Sequence, residues 1–172
     1  MSLRQLLIAA SLIATPVATL SLAPAAFANT ADSSVTLTGT VPSMIAITTA
    51  PTTAATDLPL GAPGVQTTKI ADVNITSNNT AGITITASST NNSVFQSQTN
   101  AADSVTYQVA IVNGGVTPSS FVYVSNLSQS ETTGFDATTG IKSMDLYVKI
   151  NNPPLPKRGN YRDTITLTVA DN

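Results

Sequence analysis

The chain has 172 residues, no cysteine, no histidine, seven basic and nine acidic side chains, and a net charge of −2. No disulfide can staple it, no leading cysteine can carry a lipid, and the commonest general base, nucleophile and metal ligands are missing. Sparse charge, with neither a basic face nor interleaved stacking aromatics, excludes a nucleic-acid partner.

Arg4 is the only charge in the opening segment, Leu6 to Leu22 is almost wholly apolar, and Ala26-Phe27-Ala28 places small residues where a signal peptidase reads. This pattern predicts a secretory signal peptide over residues 1–28, cut before Asn29. The apolar run is long enough to make a retained anchor the competing expectation, but Pro16, Pro24 and the small-residue exit favour cleavage. No second hydrophobic run follows, so no stable membrane span is expected in the mature chain. The remainder is the size of one ordinary domain. Its surface is built from Thr, Ser, Asn and Gln, and the alternation of apolar residues described next argues against a disordered low-complexity stalk.

Past a polar leader, Asn29 to Ser34, comes Val35-Thr36-Leu37-Thr38-Gly39-Thr40-Val41. Val35, Leu37, Gly39 and Val41 fall on one face of an extended segment and the threonines on the other, the period of a strand with one buried face. Gly39 interrupts the apolar row, and a glycine inside a strand marks close approach by another backbone. Two expectations follow: a donor strand that completes a sheet other than its own, or the first strand of its own sandwich. After Pro42, a short strand is predicted at Met44, Ile45 and Ile47, then a long surface connection from Thr49 to Gly64. Ile70 to Thr76 and the run carrying Ile83, Ile85 and Ala87 read as neighbours joined by a short hairpin at Ser77-Asn78-Asn79. Ser88 to Asp103 reads as loop pinned by Phe95.

Val105, Tyr107, Val109 and Ile111 predict the next strand, closed by a turn at Asn113-Gly114-Gly115. A further strand is expected from Phe121 to Leu127, a loop from Ser128 to Gly140, and a strand through Met144, Leu146, Val148 and Ile150. Asn151 to Pro156 ends it, because proline cannot donate to a ladder. The last run, Tyr161 to Val169, is the most regular, with Tyr161, Ile165, Leu167 and Val169 on one face and Asp163 on that face near the rim. No helical period follows the opening segment, so the expected fold is an all-β sandwich.

The carboxylates are scattered, and nothing in their spacing suggests the converging pair that glycoside hydrolysis needs. No enzyme, cofactor or metal site is expected. Asp136 and Asp145 flank loops, but no segment has the dense Asp/Asn/Gly spacing of a calcium site. Asn74, Asn78, Asn91 and Asn126 each begin a glycosylation sequon, matches that arise by chance in such a composition. Tyr107, Tyr123, Tyr147 and Tyr161 offer a sugar-binding alternative, but their place in alternating strands assigns them to packing.

The two ends of the mature chain carry a resemblance. Val35 to Val41 with Pro42 resembles the N-terminal extension of chaperone–usher fimbrial (pilus) subunits, most of all the cysteine-free major pilins of the class 5, alpha colonisation-factor type. Gly159-Asn160-Tyr161 and the alternating run to Val169 resemble the C-terminal strand of the same subunits. More distantly, spore-coat-U-like secreted proteins end in a similar Gly-x-Tyr strand, though they typically carry cysteines. The resemblance implies an immunoglobulin-like Greek-key β-sandwich that lacks one strand, with residues 29–41 as donor extension and 42–172 as the pilin domain. Val35, Leu37 and Val41 would fill pockets, Gly39 would sit where the groove is shallow, and Tyr161, Ile165, Leu167 and Val169 would form the accepting edge. It implies export to the periplasm and then the cell surface or fimbrium. The implied partners are a periplasmic chaperone, an outer-membrane usher and further copies of the chain in a head-to-tail adhesive fibre. The rival expectation is a self-complete secreted β-sandwich acting as a surface or ligand-binding module, and an enzyme comes third.

Overall fold

The computed structural model describes residues 31–153 and 157–172. The signal-peptide expectation over residues 1–28 therefore lies outside the described residues, as do Asn29, Thr30 and Pro154 to Pro156. The chain divides at Thr40/Val41, and the two units are described separately. In the first, residues 31–40 carry no regular secondary structure and their side chains are exposed.

The second unit is all-β and antiparallel. Among the described residues nine strands form: β1 (Ile45–Pro51), β2 (Gly64–Ser77), β3 (Ile83–Ser89), β4 (Val94–Ser97), β5 (Ser104–Asn113), β6 (Ser128–Glu131), β7 (Ile141–Asn152), β8 (Tyr161–Arg162) and β9 (Ile165–Asp171). They make a six-stranded sheet in the order β1-β2-β7-β5-β4-β8 and a three-stranded sheet in the order β6-β3-β9. Alternation decides which side chains point inward. Val73 and Ile75 of β2, Tyr107 and Val109 of β5, and Met144, Val148 and Ile150 of β7 meet Ile83 and Ile85 of β3 in one core. Each of these is at most 1% exposed. The two sheets thus share a single apolar interior, in the manner of a sandwich.

Several connections differ from the sequence expectation. The Ser77-Asn78-Asn79 turn does not close a hairpin: β2 pairs with β1 and β7, whereas β3 pairs with β6 and β9, so the chain crosses between sheets. Gly82 sits in that crossing at φ +87°, and a Cβ there would lie 2.3 Å from the Glu131 carbonyl oxygen. The segment Ser88 to Asp103 contains β4, paired to β5 and β8. Phe121 to Leu127 is not a strand. Val122 makes an isolated bridge to Val109, and a 3-10 turn at Val124–Asn126 buries Val124 and, three residues on, Leu127. The strand in that region is instead the polar β6, within the expected loop.

The run Tyr161 to Val169 divides. Tyr161 and Arg162 pair with Ser97 and Gln96 in the larger sheet, while Ile165 onward pairs with β3 in the smaller one. Asp163 holds the switch. Its carboxylate accepts the Asn91 N–H at 3.0 Å, the Thr164 N–H at 2.7 Å and the Tyr107 hydroxyl at 2.7 Å. An aspartate that satisfies local N–H groups in this way favours a turn over a continuing ladder.

Candidate functional site

The core is open to solvent between β1 and β9. Both are sheet edges, each paired on one side only among the described residues. Register places Ile47, Thr49 and Pro51 of β1 opposite the buried Ile75, Val73 and Ala71, so these three share the inward face. Likewise Val169, Leu167 and Ile165 lie opposite Ile85, Ala87 and Ser89 and face inward. Inward residues of a closed sandwich are covered by the facing sheet. Here Thr49 and Pro51 stay exposed, and Ile47, Ile165, Leu167 and Val169 are only half-buried. Between the edges runs a groove of about 510 Å³ whose floor includes Ala71, Phe95, Tyr107, Leu146 and Val148.

At one end the walls converge, and the Ser43 hydroxyl donates to the Asp171 carboxylate. The same end fixes where residues 42–44 leave β1: the Asn78 side-chain amide donates to the Pro42 carbonyl at 2.9 Å and accepts the Met44 N–H at 2.7 Å. At the other end the groove reaches the Asp163 switch and adjoins a cleft of about 770 Å³ lined by Asp57, Lys157, Arg158, Tyr161 and Arg162. Lys157 is ion-paired to Asp103 at 2.6 Å, which raises the lysine pKa. The Tyr107 hydroxyl at the groove floor is pushed well above its ordinary value by burial and by its bond to Asp163, so it remains a donor.

The sequence-predicted residues fall as follows. Ile165, Leu167 and Val169 line up on the open edge of β9, with Ile165 and Leu167 in the groove wall. Tyr161 belongs to β8 and lines the adjoining cleft, so the structure does not bring it to that edge. Val35, Leu37 and Val41 are 81%, 90% and 84% exposed, and a Cβ at Gly39 would meet nothing within 4 Å. None of the four lies in a strand.

The loop-flanking acids have protein partners. Asp136 accepts N–H bonds from Thr138 and Thr139 and the Thr139 hydroxyl. The Thr139 bonds, aided by Thr138, lower its pKa. Asp145, 3% exposed, is paired with Lys69 at 2.7 Å and accepts the Gly115 N–H at 2.9 Å. Among the described residues no three carboxylates are grouped to hold a metal. Of the tyrosines, Tyr107 is core, Tyr147 and Tyr161 are half-buried, and Tyr123 is exposed outside any strand.

Sequence reasoning missed β1 as the second wall, because its inward positions include Thr49 and Pro51 as well as Ile47. It also missed the Asn78 clasp, for which the sequence carries no signal beyond a turn. Asp163 did leave one: a carboxylate on the apolar face of an otherwise regular strand. Compared with protein-family models and with curated proteins, the chain matches none.

Proposed function

We propose that this chain is a structural subunit of an adhesive, fimbria-like surface fibre, assembled by strand donation between copies. On this account the sandwich is immunoglobulin-like with Greek-key connections and has one vacant strand position, between β1 and β9. Residues 29–41 of another copy occupy it, with Val35, Leu37 and Val41 in the groove and Gly39 where the backbones approach most closely. The observation that carries the proposal is the half-covered inward face of Ile165, Leu167 and Val169 on a one-sided edge. It is supported by a period-two apolar segment in the same chain whose side chains are exposed.

The energetics are of the right order. An added strand satisfies the unpaired N–H and C=O groups of β9, each bond contributing about 1 kcal/mol net. Burying three aliphatic side chains adds roughly 1.5–3 kcal/mol apiece. Left open, the same edge is an aggregation hazard, which is why a periplasmic chaperone and an outer-membrane usher fit as partners in transit after export. Because donor and acceptor surfaces are different patches, the contact does not close on itself and propagates as a filament.

The test is an unheated SDS gel of surface material beside a boiled sample. A ladder of multimers that collapses to one band on boiling is the expected result. A single monomer band in both lanes would overturn the proposal in favour of a self-complete module that binds a ligand.

A further inference from the structure

We infer that Asn78 and Ser43 form a clasp that keeps each copy's residues 35–41 out of its own groove and so reserves that segment for another copy. The inference rests on the strand-donation reading above and adds to it a control on which groove is filled.

A tethered segment competes strongly with a free one. Only Pro42, Ser43 and Met44 separate Val41 from the first residue of β1, and β1 is one wall of the groove. A short tether gives an effective concentration on the order of millimolar, far above that of copies meeting at micromolar concentration. Folding back as a hairpin on the free edge of β1 needs only a three-residue turn, a common length. Pro42 suits the first position of such a turn. Reach therefore does not prevent self-insertion. A self-inserted copy has neither a vacant groove nor a free segment, so it takes no part in assembly.

The clasp acts at that turn. Asn78 follows the last residue of β2, and three bonds tie it to the chain leading into β1. Its backbone N–H donates to the Met44 carbonyl at 3.2 Å. Its side-chain oxygen accepts the Met44 N–H at 2.7 Å, and its side-chain N–H donates to the Pro42 carbonyl at 2.9 Å. Asn78 extends the β2 side of the β1–β2 ladder, so these bonds hold residues 42–44 in line with β1 and away from its free edge. Ser43, between them, donates its hydroxyl to Asp171 at the end of β9, across the mouth that a hairpin would enter. Folding back breaks the Pro42 and Ser43 bonds. It also asks Met44 for the left-handed conformation that ends the common three-residue turn, which is costly for a residue with a β-carbon. In the clasped chain Met44 keeps a negative φ.

The experiment follows assembly of the mature full-length chain by light scattering and unfolds the monomer in urea at a concentration too low for assembly. It compares the parent chain, Asn78→Ala, Leu37→Asp and the combination of the two. Losing two ordinary hydrogen bonds should shift the balance between open and self-inserted monomer about thirtyfold toward insertion. Asn78→Ala should therefore slow assembly about tenfold, because each inserted copy is lost both as donor and as acceptor. In the Asn78→Ala chain Leu37→Asp should lower the urea midpoint of the monomer, since Leu37 is then buried in the copy's own groove. In the parent chain it should leave the midpoint in place. Should Asn78→Ala not fold, Asn78→Asp, which still accepts the Met44 N–H but cannot donate to Pro42, is judged by the same two readouts. Assembly at the parent rate, or slowing without the dependence on Leu37, overturns the clasp. Leu37→Asp alone separates the two claims: if it blocks assembly while Asn78→Ala behaves as the parent does, only the clasp fails. If it assembles normally, strand donation itself fails.

Discussion

Leu37→Asp separates a donated strand from one that belongs to its own fold. Leu37 is 90% exposed, so in an isolated copy the substitution should shift the urea unfolding free energy by no more than about 0.5 kcal/mol. In the proposed fibre the same side chain would be buried. Losing it forfeits about 2 kcal/mol of transfer free energy, and an unpaired carboxylate in an apolar groove costs several kcal/mol more. A combined penalty of about 5 kcal/mol at 1.4 kcal/mol per decade lowers the association constant more than a thousandfold. Thr38→Asp, on the opposite face of the segment, keeps its charge in water and should leave most of the multimer intact. The assay pairs size-exclusion chromatography of assembled material with urea melts of the monomer. Multimers that survive Leu37→Asp, or a monomer melt that falls by several kcal/mol, would refute the reasoning.

Other consequences concern the domain itself. Gly82→Ala should destabilise by about 3 kcal/mol, since positive φ and a backbone clash act together, whereas Gly115→Ala, at φ +78° with open space around it, should cost only about 1 kcal/mol. Equilibrium urea unfolding distinguishes them. Lys142, 5% exposed and bonded to Glu131 and the Thr133 carbonyl, joins the two sheets. Lys142→Met should cost about 3 kcal/mol by stranding Glu131, and Glu131→Gln in the same chain should recover part of that loss in the same melts. Burial alone would raise the Asp145 pKa, but Lys69 and the Gly115 N–H outweigh it and the carboxyl titrates below its ordinary value. A lowered folded pKa makes stability complete above the unfolded value of about 3.9 and lost as pH falls below it. Asp145→Asn should therefore flatten the acid limb of the stability–pH curve, and an unchanged slope would contradict this.

The parts of the fold legible in the sequence are those where one strand face is apolar and the other is not. Val73 and Ile75, Val105 to Ile111 and Met144 to Ile150 are read correctly because alternation encodes burial directly. Ser128 to Glu131 has no apolar residue at all, so β6 gives no periodic signal although it pairs with β3. In Phe121 to Val124 both alternating sets are apolar, and the buried Val124 and Leu127 are spaced by three, as a 3-10 turn requires rather than a strand. The short Asn78–Gly82 connection resembles a hairpin because loop length is local, whereas the choice of sheet is a tertiary matter. The same distinction governs the groove. The inward face of β9 is legible from Ile165, Leu167 and Val169, but the groove's second wall depends on β1 pairing with β2 twenty or more residues away, which no local pattern records.

The most direct test uses the absence of native cysteine. Leu37→Cys is combined in one full-length chain with Ile165→Cys, Leu167→Cys or Val169→Cys, and in control chains with Thr166→Cys or Thr168→Cys, which face outward on β9. The chains are then oxidised during assembly and run under denaturing, non-reducing conditions. Strand donation predicts a covalent ladder for at least one inward-facing pair, none for the outward controls, and a single band after reduction. Disulfides confined within single copies, or equal trapping at inward and outward positions, would contradict the account.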